Sequence, residues 1–177
     1  MQTKVNYIAE FVDNAEKVSA VVSKKRTMNE AVLYCIELCN QNNQKSIAVP
    51  NILLAKLFKT KHKVLSDDIY DERANIDIGF TLCDHGIANT GTLVLNSSNE
   101  KTRIATMLCD IHVAVVKEST VVQNAKALSE TLKDGMNENS DYTAFITGAS
   151  RTADIERTLA IGVHGPLELH IIVLEGS

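Results

Sequence analysis

Tryptophan is absent from this 177-residue chain, proline occurs twice and cysteine four times. Each scarcity excludes something. With two prolines and eight glycines, the chain lacks the breaker density of a low-complexity or disordered segment. Cys35, Cys39, Cys83 and Cys109 show no C-x-x-C spacing, which removes the usual metal and redox patterns and predicts reduced thiols packed in a core. Neither sign of charge dominates, with 18 Lys and Arg against 22 Asp and Glu. Basic residues gather only at Lys24, Lys25 and Arg26 and at Lys59, Lys61 and Lys63. Nucleic acid is therefore not an expected partner, because phosphate neutralisation dominates that affinity. No apolar run approaches bilayer length, and Glu10, Asp13 and Glu16 interrupt the first residues. The expectation is no membrane span, no signal peptide and a cytoplasmic location.

What is present is a globular composition, 45% hydrophobic and 23% charged. A chain this long buries roughly 70% of its unfolded surface in one core, so residues 1–177 are read as a single domain. Val5, Ile8, Val12 and Ala15 recur at helical spacing and predict a helix over the first twenty residues. Thr27-Met-Asn-Glu30 is a capping box opening a second helix through Ala31, Cys35 and Leu38. Ser46 to Val49 reads as a strand stopped by Pro50, after which Asn51 caps another helix. Strands are predicted at 63–65, 76–83 and 92–95, with the Gly-marked turn Gly86 to Gly91 between the last two. Residues 103–109 read as a short helix or turn. The nearly continuous apolar run from His112 to Val116 predicts a strand covered on both faces. A second capping box at Thr120 predicts a helix ending near Gly135. A strand at 142–147, a helix at 152–161 and a strand at 169–174 complete the chain. Such alternation predicts a mainly parallel sheet with helices on both faces, a three-layer α/β/α fold.

The stretch Thr147-Gly-Ala-Ser-Arg-Thr-Ala-Asp154 holds the densest chemistry. A strand ending at Thr147, a glycine turn at Gly148 and a helix capped by Thr152 would direct free amides and a helix dipole at an anion. Arg151 adds a donor fork suited to carboxylate or phosphate, and Ser150 adds a hydroxyl. The alternative is structural: Arg151 pairs with Asp154 or Glu156, and the hydroxyls serve only as caps. His164, between Gly162 and Pro166 and beside Gly165, is placed to move a proton or orient a carboxylate; a loop tether is the competing reading. His170 and His112 fall inside strands and read as structural. Asn89, Thr90 and Gly91 form a second polar turn that either meets a ligand or simply reverses the chain. No metal-binding motif, dinucleotide fingerprint or Walker loop is present.

Ile146 to Glu156, Gly162-Val-His-Gly-Pro166 and Leu169 to Leu174 resemble the carboxyl-terminal signature of the LUD-domain family. Gly86 to Leu95, with Arg103 and His112 downstream, resembles its central motif. The resemblance implies the fold shared by glucosamine-phosphate deaminase, ribose-phosphate isomerase and CoA transferases. It implies an accessory role in lactate utilisation, the oxidation of L-lactate to pyruvate. No cofactor is expected on this chain, and iron–sulfur clusters are expected on partner subunits. The candidate ligand contacts are Gly148, Ser150, Arg151, Thr152, Asn89, Thr90, Gly91, Arg103 and Gly165, with His164 and Asn89 orienting the carboxylate; in a stand-alone enzyme using the same pocket, His164, Asp154 or Glu156 would carry the proton. The family usually has glutamate where Asn89 stands, and an amide does not ionise. It tends to have proline at the positions of Ala149 and Cys109. Two other readings stay open: a stand-alone phosphosugar isomerase or acyl-transfer enzyme, and a non-catalytic assembly module.

Overall fold

The computed structural model describes residues 7–129, 142–153, 159–161 and 165–176. In chain order these form α1 (Ile8–Lys17), β1 (Val21–Lys25), α2 (Met28–Gln41), β2 (Ser46–Ala48), α3 (Ile52–Ala55), β3 (Lys63–Leu65), β4 (Ile78–Cys83) and β5 (His85–Ile87). There follow β6 (Thr92–Asn96), α4 (Glu100–Met107), β7 (Ile111–Lys117), β8 (Val121–Val122), β9 (Thr143–Ile146), β10 (Arg151–Ala153), β11 (Leu159–Ile161) and β12 (Glu168–Leu174). A six-stranded sheet runs β1-β12-β7-β4-β2-β3, and every pairing in it is parallel. A smaller sheet runs β8-β5-β6-β9, with β6 antiparallel to both β5 and β9.

Alternation along β7 explains why its sequence is apolar from Val113 to Val116. Val113 and Val115 join the cluster under α2, which also holds Cys35, Ile47, Phe80 and Ile172. Ala114 and Val116 point the other way, into a cluster with Phe11 and Ala15 of α1, Leu93 and Leu95 of β6, and Ile171 of β12. A strand with a core on each face has no polar side to show. Phe80 meets Phe58 edge-on, with ring centroids 5.1 Å apart, an arrangement that the ring quadrupoles favour. One face of the sheet is thus covered by α2 and α3, the other by α1 and the small sheet. A third cluster, with Ile104 and Ala105 of α4 against Ala48 and Leu65, covers the β2–β3 edge.

The predicted caps at α2 and α3 form. Thr27 Oγ1 accepts from the Glu30 amide at 3.2 Å while Glu30 accepts from the Arg26 amide at 2.8 Å. Asn51 Oδ1 accepts from the Leu54 amide at 3.0 Å.

Several expectations are corrected. The first helix stops at Lys17, Ser19 turns the chain with a φ of 65°, and β1 follows at the sheet edge. Only residues 88–91 of the Gly86–Gly91 segment turn, because 85–87 pair with β6. No helix opens at Thr120; its hydroxyl donates back to the Lys117 carbonyl at 3.0 Å, and the chain enters β8. Helix begins instead at residue 125, with Asn124 Oδ1 accepting from the Ala127 amide at 3.0 Å; the expected end near Gly135 lies outside the described residues. The helix expected over 152–161 is not formed at either end. Residues 151–153 and 159–161 pair as antiparallel strands, Thr152 opposite Ala160. Thr152 therefore does not cap a helix beginning at Ala153, and the fan of first-turn amides expected there is replaced by a strand ladder.

Candidate functional site

Three loops distant in sequence meet beside α1. Gly91, with a φ of 63°, closes the turn after Asn89 and Thr90; a Cβ there would lie 2.3 Å from the Ala15 amide nitrogen. Asn14 of α1 fixes the same turn by donating to the Ala88 carbonyl at 2.9 Å. Gly148, with a φ of 70°, brings the chain leaving β9 against the end of α1, where a Cβ would lie 2.4 Å from the Val18 carbonyl oxygen. Only a residue without a side chain fits either approach. The third loop arrives at Ser150, whose amide donates to the Pro166 carbonyl at 3.0 Å. Ser150 also lies against Gly165, where a Cβ would fall 3.1 Å from that of the serine.

Thr92 Oγ1 donates to Thr90 Oγ1 at 2.8 Å and lies 2.8 Å from Thr147 Oγ1. A threonine hydroxyl has one proton. That of Thr92 is spent on Thr90, so Thr147 is the donor in the second contact. The chain of hydroxyls therefore runs Thr147 to Thr92 to Thr90, and among the described residues no acceptor takes the last proton. Thr92 is buried while Thr90 is exposed, so the chain delivers a polarised donor to the surface.

This junction lies at the amino ends of the parallel strands, not beyond the carboxyl ends, where ligands of open α/β sheets usually bind. Leu167, next to Pro166, donates its amide to the Asp110 carbonyl at 2.8 Å, immediately before β7. The strand that ends at Thr147 belongs to the antiparallel sheet, and its exit points opposite to those of the central strands.

Of the residues expected to bind, Thr90, Gly91, Gly148, Ser150 and Gly165 are brought together. Asn89 sits on the same exposed turn and donates its amide to the Gln123 carbonyl at 3.1 Å. Arg151 and Thr152 continue from Ser150 as β10. Arg103 is apart. It projects from α4, with its guanidinium carbon 5.3 Å from the centre of the Tyr142 ring. Tyr142 precedes β9 at the end where Asn96 pairs with Thr143, whereas the junction lies beyond the Leu93–Ile146 pair at the other end. His164, Asp154 and Glu156 lie outside the described residues. Thr92 and Thr147 were not anticipated as partners; the Thr-Gly-Thr of residues 90–92 was the available signal.

The buried titratable groups behave as structure. His112 is fully enclosed, bonded through Nε2 to Thr81 Oγ1 at 2.8 Å, and burial lowers its pKa to about 4. It is neutral at pH 7. His170 joins Tyr34 and Glu168: its Nδ1 lies 2.7 Å from the Tyr34 hydroxyl and its Nε2 2.9 Å from Glu168 Oε2. Burial raises the pKa of Tyr34. All four cysteines are buried and unbridged. Burial raises each thiol pKa, that of Cys39 to about 11 and that of Cys109 to about 12. Among the described residues no group of three or more His, Cys, Asp and Glu side chains is arranged to hold a metal ion, and no helix is long and apolar enough to cross a membrane.

The family model of the LUD domain matches residues 8–174. The chain belongs to the LUD-domain family. Similar LUD-domain relatives include a lactate utilization protein C of Halalkalibacterium halodurans, 36% identical over 110 residues, or 60% of this chain and 48% of that protein. Another, from a Geobacillus species, is 39% identical over 109 residues, 59% of this chain and 44% of its own length. The matched region thus spans less than half of each of these relatives. A crystal structure of a DUF162 family protein from Deinococcus radiodurans superposes with a TM-score of 0.74 over 98% of this chain and 99% of that one. At 21% identity it shows the same fold.

Proposed function

We propose that this LUD-domain chain is an accessory, small-carboxylate-binding component of lactate utilisation, with its ligand held at the junction of the 89–92, 147–151 and 165–166 segments. The observation that carries the reading is the hydroxyl chain from Thr147 through Thr92 to Thr90. It joins the two segments that resemble the family signature and leaves a donor at the surface. A carboxylate accepts such a proton, and Arg151, next to Ser150 in sequence, adds the charge that a neutral hydroxyl lacks. The names of the curated relatives supply lactate utilisation as the setting. In that setting the substrate is L-lactate and the product pyruvate. Iron–sulfur clusters on partner subunits would take the electrons; the buried thiols of this chain, with raised pKa values, are poor cluster ligands. His164 and Asn89 are the candidates to orient the bound carboxylate.

Calorimetric titration of the purified chain with L-lactate and with pyruvate tests the site. Thr90→Val and Arg151→Ala should each weaken binding at least tenfold. Equal affinity of the native chain and both variants would overturn the proposal.

A further inference from the structure

At the opposite end of the molecule, a cleft of about 400 Å³ opens beside Pro50 and Asn51, which follow β2, and Phe80, Thr81 and Leu82 of β4. We propose that it is a second binding site, separate from the junction, for an amphipathic oxyanion: a carboxylate or phosphate head on an apolar body.

Its position follows from the topology. β2 and β4 are neighbours, but β2 hands the chain outward to β3 at the edge while β4 leads inward toward β7. Connections that leave adjacent parallel strands in opposite directions open a crevice between them, and ligands of open α/β sheets bind there. The volume falls within the range of small-molecule pockets.

The ligand class follows from the wall. Asn51, Asn96 and Asn99 all line the cleft, and each has already spent its carboxamide oxygen on the protein. Asn51 Oδ1 accepts from the Leu54 amide at 3.0 Å, Asn99 Oδ1 from the Lys101 amide at 2.9 Å, and Asn96 Oδ1 from the Thr143 hydroxyl at 2.7 Å. Backbone amides only donate, so the first two side chains cannot be turned round. What remains is three NH2 groups with no acceptor among the described residues. Three asparagines oriented in this way give the cleft a surplus of donors, and among the described residues no carboxylate lines it. A group made only of acceptors matches it, and an oxyanion head is such a group. Ile52, Leu53 and Leu82 are exposed large apolar side chains on the same cleft. They would lose water to an apolar body, which lactate is too small to supply.

The decisive variants exchange the donors and keep the caps. Aspartate caps helices as well as asparagine, so Asn51→Asp and Asn99→Asp retain the bonds to Leu54 and Lys101 while replacing each NH2 with a carboxylate oxygen. The full chain is titrated calorimetrically with hexanoate, hexyl phosphate and acetate. Hexanoate or hexyl phosphate should bind saturably, the tighter of the two identifying the head, with acetate at least tenfold weaker. The double Asp variant should bind the preferred probe at least tenfold more weakly with an unchanged unfolding midpoint, whereas Thr90→Val should bind it as the native chain does. Absence of saturable binding by either hexyl probe, or native affinity in the double variant, overturns the proposal. So does binding that survives the double variant and is lost in Thr90→Val, which would assign the probe to the junction. Failure of the cleft in these titrations leaves the lactate titration of the junction a separate result.

Discussion

Thr92 and Thr147 stand 55 positions apart in sequence, yet their hydroxyl oxygens lie 2.8 Å apart. The contact extends the β6–β9 ladder by one more pair beyond Leu93 and Ile146. Replacing Thr92 with the near-isosteric valine removes the middle of the hydroxyl chain and leaves both ends unpaired. We expect a loss of about 1 kcal/mol in stability, measured by urea denaturation, together with weaker carboxylate binding at the junction. A variant as stable as the native chain and unchanged in binding would show that the contact contributes nothing.

Gly148 and Gly176 both have positive φ, 70° and 69°, but only Gly148 is pressed against another segment; nothing lies within 4 Å of a Cβ at Gly176. The pair separates backbone strain from collision. Gly176→Ala should cost about 1 kcal/mol from the left-handed conformation alone. Gly148→Ala should cost clearly more, because the new methyl meets the Val18 carbonyl. Equal denaturation midpoints for the two variants would mean that the loop yields freely.

His112 predicts the acid limb of the stability curve. Its pKa falls from 6.5 to about 4 on burial, so between those values the unfolded chain binds a proton that the folded chain refuses. The contribution is complete above about pH 6.5, is lost as pH falls toward 4, and changes little below that. The full shift corresponds to about 3 kcal/mol. His112→Gln should flatten this part of the profile when denaturation midpoints are compared from pH 7 to pH 4. A slope identical to that of the native chain would remove His112 from the explanation.

The cysteines should be silent. With every thiol buried and its pKa raised, the thiolate fraction at pH 8 is small and access is blocked. We expect negligible reaction with Ellman's reagent in the folded state and four reactive thiols per chain in denaturant. Rapid labelling of the native protein would contradict the burial of at least one of them.

The parts of the fold legible in the sequence are those decided locally or by two-sided burial. The run from His112 to Val116 has no polar face because β7 has no open face, and Asn51 caps where Pro50 has already ended a strand. The misreadings share a cause. Val21-Val-Ser-Lys-Lys25 carries the mixed pattern of an edge strand, which no local periodicity marks. Thr120 and Thr152 matched helix-start patterns, yet Thr120 bonds back to Lys117 and Thr152 pairs opposite Ala160. Helix propensity is a weak preference, and pairing with a distant segment overrides it. At the site, sequence supplied the residues at both sides of the junction but not its location. The direction of β9 relative to the central strands is a property of topology, which no local pattern encodes. Arg103 was grouped with the others by nearness in a motif, and α4 carries it to Tyr142.

Strand β6 touches both ends of the molecule, with Thr92 inside the hydroxyl chain and Asn96 on the wall of the far cleft. Five residues in extended form make a strut of roughly 16 Å, clamped along its length by β5 and β9. A strut so held joins the two places through one continuous stretch of paired backbone. Any energetic conversation along it must be symmetrical, each occupant altering the hold on the other by the same factor.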